Sequence, residues 1–85
     1  MSFFVYVIQS EIDKSYYVGY TVDLETRLDK HNAGNSQYTS KKIPWVLVYF
    51  EEFQTKSDAI KREKFIKRQK SSAFIRRLIF EKNNT

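Results

Sequence analysis

The sequence predicts a single α+β domain with elements in the order β-β-α-β-α-α. Three observations carry this. Two β-branched and aromatic runs are joined by a short polar turn; a third such run follows the only proline; and capping residues precede apolar positions spaced three and four apart. Eighty-five residues fit one domain with a thin core, assigned here to residues 1–82, with Asn83-Asn84-Thr85 as a loose tail.

Phe3-Phe4-Val5-Tyr6-Val7-Ile8 is continuous enough to be a strand covered on both faces. Gln9 to Ser15 is turn-like, and Tyr16 to Thr21 forms a second strand. So short a link makes the pair an antiparallel hairpin, because a parallel crossover needs a dozen residues or more. A short helix spans Asp23 to Asn32, capped by Thr21 or Asp23 and facing inward through Leu24 and Leu28. Asn32-Ala33-Gly34-Asn35 ends it and opens a loop to Pro44. Trp45 to Phe50 is the third strand, apolar on both sides and therefore expected inside the sheet. Thr55 and Asp58 open a second helix to about Lys70. Ser71 and Ser72 cap a third, whose stripe is Phe74, Ile75, Leu78 and Ile79.

Composition narrows the function. With no cysteine, disulfides, thiolate metal sites and Cys nucleophiles are excluded. The two glycines are too far apart for a phosphate-cradling loop. No apolar run approaches the ~20 residues of a membrane helix and the N-terminus lacks a basic signal start, so a cytoplasmic protein is expected. Residues 1–55 hold five Lys/Arg against seven Asp/Glu, whereas residues 56–85 hold ten against three. That asymmetry favours a polyanion, nucleic acid before membrane; a solvated helix face accounts for the same residues.

Polar side chains at apolar-face positions are the informative ones. At about 100° per residue, Glu63 falls between Ile60 and Ile66 on the face of the second helix that should meet the sheet. It must pair with a cation or serve a hard divalent ion. Arg27 and His31 lie one turn apart beside Leu24 and Leu28. Arg suits a phosphate, and the single His a proton or an oriented hydrogen bond. If Tyr6 lies opposite Gly19, Tyr6 and Tyr17 share a sheet face, with open space at the glycine; an even register would part the rings. Tyrosine, with an ordinary pKa near 10, is a base only where cations stabilise the phenolate, and Arg27 with a metal would do so. Glu11 and Asp13 read as turn residues.

Phe4-Val5-Tyr6, followed by Tyr17-Val18-Gly19, resembles the paired tripeptides of the GIY-YIG nuclease superfamily. Arg27, His31-Asn32-Ala33-Gly34, Tyr38-Thr39, Trp45 to Tyr49, and Ser57 to Glu63 with Ile66-Lys67 fit in the same order. The match runs over roughly residues 3 to 70 and is nearest the short, single-domain bacterial members. The first tripeptide lacks its glycine, and the polar residue, often Asn, that follows the glutamate helix in active relatives has no clear match in Arg68 to Ser72.

The resemblance implies a three-stranded antiparallel sheet flanked by helices, with the site on one face. It implies hydrolysis of DNA phosphodiester bonds with one Mg²⁺ or Mn²⁺, in DNA repair or recombination. Glu63 would hold the metal and Arg27 would stabilise the phosphate. Tyr6 or Tyr17 would activate or position water, with His31 assisting. Lys61, Arg62, Lys64, Lys67, Arg68 and Lys70 would contact backbone phosphates. With no space for a separate DNA-reading domain, little sequence specificity is expected from the monomer, unless a partner protein supplies it. A non-catalytic nucleic-acid-binding module and a small basic protein-interaction domain are the competing readings. Only the nuclease needs Tyr6, Tyr17, Arg27, His31 and Glu63 to converge.

Overall fold

The structure is a computed structural model and describes residues 1–84. Strand β1 (Phe3–Ser10) is central, with β2 (Tyr16–Thr21) and β3 (Trp45–Phe53) antiparallel on either side, giving the order β2-β1-β3. Helices α1 (Leu24–Asn32), α2 (Lys56–Gln69) and α3 (Ser72–Asn83) complete the expected β-β-α-β-α-α succession. No helix among the described residues is long and apolar enough to cross a membrane.

Alternation along β1 sorts the molecule into two layers. Val5 and Val7 face α2 and α3, joining Val18, Tyr49, Ala59 and Ile66, with Phe74, Ile75, Leu78 and Ile79 packed against them. Tyr6 and Ile8 face the other way, joining Trp45 and the inner side of α1 at Leu24 and Leu28. Tyr6 pairs with Gly19 and Ile8 with Tyr17, so both tyrosines lie on the α1 face.

The third strand corrects one expectation. Its apolar run suggested an internal position, yet β3 is an edge and β1 is the strand paired on both sides. Its run is apolar on both faces because α3 covers one while the other is only partly covered: Leu47 and Phe50 stay about a third exposed. A bulge with Val48 as the extra residue interrupts its pairing to β1 between Val7 and Ile8. Lys82, from the end of α3, donates to the Phe50 carbonyl and lies 3.7 Å from the centre of its ring, a cation shielding an open edge.

Local caps explain the helix starts. Asp23 accepts from Thr26 N at 3.1 Å, Thr55 from Asp58 N at 3.1 Å, and Ser71 from Phe74 N at 3.1 Å. Lys70, in the left-handed region at φ 48°, makes the corner between α2 and α3. The stretch expected as a loop before β3 contains a 3₁₀ turn, Ser40–Lys42, and a cis Ile43–Pro44 bond. The Asn32 side chain ties the end of α1 to β3, accepting from Trp45 N at 2.7 Å and donating to Trp45 O at 3.0 Å. Of the expected tail, Asn83 ends α3, Asn84 donates to Phe80 O at 2.8 Å, and Thr85 lies outside the described residues.

Candidate active site

The α1 face brings three of the singled-out side chains into direct contact. The Tyr6 hydroxyl lies 2.9 Å from His31 Nε2, and Arg27 Nε donates to the same oxygen at 3.3 Å. Tyr6 reaches them because its ring passes over Gly19, so the space expected at the glycine is filled by Tyr6 itself. Arg27 and His31, one turn apart on α1, approach the hydroxyl from the same helix.

His31 is fully buried, and its Nδ1 lies 2.8 Å from Thr39 Oγ1. Arg27 can only donate, so the Tyr6 oxygen accepts from it, and either neutral tautomer of His31 completes the chain from Tyr6 to Thr39. We assign the one with hydrogen on Nδ1, donating to Thr39, in which Nε2 accepts the Tyr6 proton. Burial, then the Arg27 charge, holds the imidazole below its ordinary value and keeps it neutral. Thr39 is the residue that sequence reasoning passed over. It stood there only as part of a motif, and nothing local signals that its hydroxyl meets a helix eight residues earlier. The Trp45 indole N–H donates to its carbonyl at 2.9 Å and fixes it.

Burial dominates the Tyr6 phenol and raises its pKa; the Arg27 hydrogen bond and charge oppose this, while Tyr17 and Glu63 add to it. The resting phenol is thus protonated, and cation stabilisation from Arg27 alone does not overcome desolvation. The guanidinium gains from the arrangement: its bond to Tyr6 raises its pKa in spite of burial, with Tyr17 adding to the effect.

Tyr17 sits beside the group, and a hydrogen bond from its hydroxyl also favours the Arg27 cation. Its ring meets His31 edge-on at 5.1 Å and Trp45 at 6.4 Å, with the Lys67 ammonium 5.8 Å from its centre. Glu63 is the least integrated. Its side chain is 14% exposed and pairs with Lys67 at 3.4 Å, the cation pairing that the sequence left open. Its charge is felt at Tyr6, but weakly.

Of the basic residues, Lys61, Lys64, Lys67, Arg68 and Lys70 are exposed along α2 and its C-terminal corner. Arg62 stands apart from them. Its Nε and Nη2 donate to the two Glu51 carboxylate oxygens, each at 3.0 Å, and Tyr49 donates to the same carboxylate. It braces α2 against β3, whatever it contributes outside.

The model of the GIY-YIG catalytic domain matches residues 2–77. A UPF0213 protein of Staphylococcus aureus is 44% identical over 79 residues, covering 88% of this chain and 95% of its own length. One of Staphylococcus haemolyticus is 46% identical over 65 residues, covering 75% and 78%. The solution NMR structure of the UPF0213 protein BH0048 from Bacillus halodurans is similar with a TM-score of 0.62 and 32% identity, covering 96% of this chain and 86% of that one. With its paired tyrosine strands, its helix of Arg27 and His31, and a match along nearly its whole length, the chain belongs to the GIY-YIG family, a nuclease superfamily.

Proposed function

We propose that this protein is a metal-dependent endonuclease that hydrolyses phosphodiester bonds in DNA with little sequence preference. The observation that carries the reading is the Tyr6 hydroxyl held between His31 Nε2 at 2.9 Å and Arg27 Nε at 3.3 Å. A phenol between a neutral imidazole and a guanidinium has an acceptor for its proton and a cation for the charge left behind.

Among the described residues no three His, Asp or Glu side chains gather to hold a metal, so a single hard divalent ion would rest on one carboxylate. Mg²⁺ and Mn²⁺ take one or two carboxylates and fill the remaining positions with water and substrate phosphate, and Glu63 is a largely buried carboxylate whose one ion-pair partner is a flexible, half-exposed lysine. Glu63 would hold the ion, which when bound polarises the phosphoryl oxygen. The Tyr6 proton passes to His31 Nε2 as a water molecule gives its own proton to the phenolate oxygen. Thr39 keeps the imidazole oriented for this transfer. The new hydroxide attacks phosphorus, the bond to the leaving oxygen breaks, that oxygen takes a proton from solvent, and His31 returns its proton to Tyr6 as the phenol releases one to solvent. Arg27, charged throughout, offers its terminal nitrogens to the phosphate oxygens as their charge grows. Lys61, Lys64, Arg68 and Lys70 hold the backbone on either side.

The Glu63–Lys67 pair favours a second reading, a nucleic-acid-binding module that kept the fold without the reaction. Nicking of supercoiled plasmid in Mn²⁺ separates the two. The nuclease nicks, and Arg27→Ala and Glu63→Ala each lose about a hundredfold or more. Equal cutting by both variants removes the enzyme reading, and salt-sensitive binding without cutting leaves the module.

A further inference from the structure

A cavity of about 480 Å³ opens at the β2 edge of the site, between that strand and the corner where α2 turns into α3. Tyr16, Tyr17 and Tyr38 line it together with Ile66, Ile75 and the two lysines Lys67 and Lys70. None of the proton-relay groups opens into it, but Tyr17 belongs to both places: its ring touches His31 on one side and Tyr38, at 5.7 Å, on the other.

Tyr38 packs against Tyr17 and yet stays 68% exposed, so most of its ring faces outward. A tyrosine left open beside an apolar hollow, with two ammonium groups around it, presents a flat π-face and cations together. That is the complement of a nucleobase and its phosphate. A base inside a duplex has both faces covered by its neighbours, so it cannot use this surface without leaving the stack.

We propose that this cavity takes an unpaired nucleobase next to the bond being cut, stacked on Tyr38 and Tyr17 with its phosphate held by Lys67 and Lys70, and that the protein thereby selects single-stranded or frayed DNA over intact duplex. This rests on the nuclease reading for what happens to the strand, but the binding preference is a separate property. Lys67 already lies 5.8 Å from the Tyr17 ring centre and 3.4 Å from Glu63, which places the cavity one side chain from the candidate metal ligand.

The test is fluorescence anisotropy at low salt in EDTA, where no cutting occurs, with a labelled oligonucleotide as single strand, as duplex, and as the same single strand made abasic. The wild type binds the single strand more tightly than the duplex, and the abasic strand loses the advantage. Tyr38→Ala weakens single-strand binding about tenfold and leaves duplex affinity unchanged, while Tyr38→Phe, which keeps the π-face, stays within about twofold of wild type. Equal wild-type affinity for single strand and duplex overturns the proposal, as does a preference that survives Tyr38→Ala or the abasic strand. Plasmid nicking without single-strand preference removes this inference alone, and single-strand preference without nicking removes the nuclease reading alone.

Discussion

The Tyr6 ring occupies the place where a side chain at residue 19 would begin. A Cβ on Gly19 would lie 2.5 Å from the Tyr6 hydroxyl oxygen and 2.7 Å from Cζ, closer than carbon atoms approach. Glycine is needed here for clearance, since the ring must cross β2 to reach His31 and Arg27.

Gly19→Ala is therefore expected to destabilise the fold by about 1–3 kcal/mol and to push the phenol off His31. In a Tyr6→Phe background, without the nearest oxygen, the penalty becomes smaller. Urea unfolding of both single variants and the double variant measures this coupling; strictly additive penalties contradict it.

His31 links stability to pH. Burial and Arg27 hold its pKa below the ordinary 6.5, so the unfolded chain binds a proton that the folded chain refuses. Stability from this group is complete above about 6.5 and falls as pH drops from there toward the lowered folded value. Unfolding midpoints followed from neutral pH to about 5 should decline, and His31→Gln should flatten that decline. An unchanged slope in the variant contradicts the buried neutral imidazole.

Much of the fold was legible because its signals are local. Asp23, Thr55 and Ser71 each cap the helix that follows, and the α3 stripe of Phe74, Ile75, Leu78 and Ile79 packs as its spacing indicates. The side-by-side placement of Tyr6 and Tyr17 depended on a hairpin register that only two parities allowed. Strand order was beyond reach, because an apolar run on β3 reads alike whether a strand or a lysine covers its edge. Long-range partners were equally hidden: nothing near Thr39 points to His31, and nothing near Arg62 points to Glu51. Glu63 was recognisable as anomalous, but the pattern could not choose between a cation pair and a metal.

A metal held by Glu63 would have to displace Lys67, which lies 3.4 Å from that carboxylate. Lys67→Gln should bind Mn²⁺ several-fold more tightly, in calorimetry without DNA, and Glu63→Gln should abolish that binding. Mn²⁺ affinity indifferent to both residues removes Glu63 as the ligand.

Arg62 should differ from its neighbours on α2. Loss of its two bonds to Glu51, beside a Tyr49 phenol pushed up to about 12 by burial and then by Glu51, is expected to cost about 1–3 kcal/mol in Arg62→Ala. The salt dependence of duplex binding should hardly change. Lys61→Ala or Arg68→Ala should do the reverse, leaving stability intact and lowering the slope of log affinity against log salt by about 0.9 for each phosphate no longer neutralised. A lowered slope in Arg62→Ala would place it on the DNA after all.

The most direct measurement is the Mn²⁺-dependent nicking rate of Tyr6→Phe beside Tyr17→Phe, with each protein shown to be folded at the assay temperature. If the Tyr6 oxygen is the proton acceptor held by His31 and Arg27, Tyr6→Phe loses about 10²–10⁴-fold while Tyr17→Phe keeps most of the rate. Wild-type cutting by Tyr6→Phe, or a loss confined to Tyr17→Phe, contradicts the account.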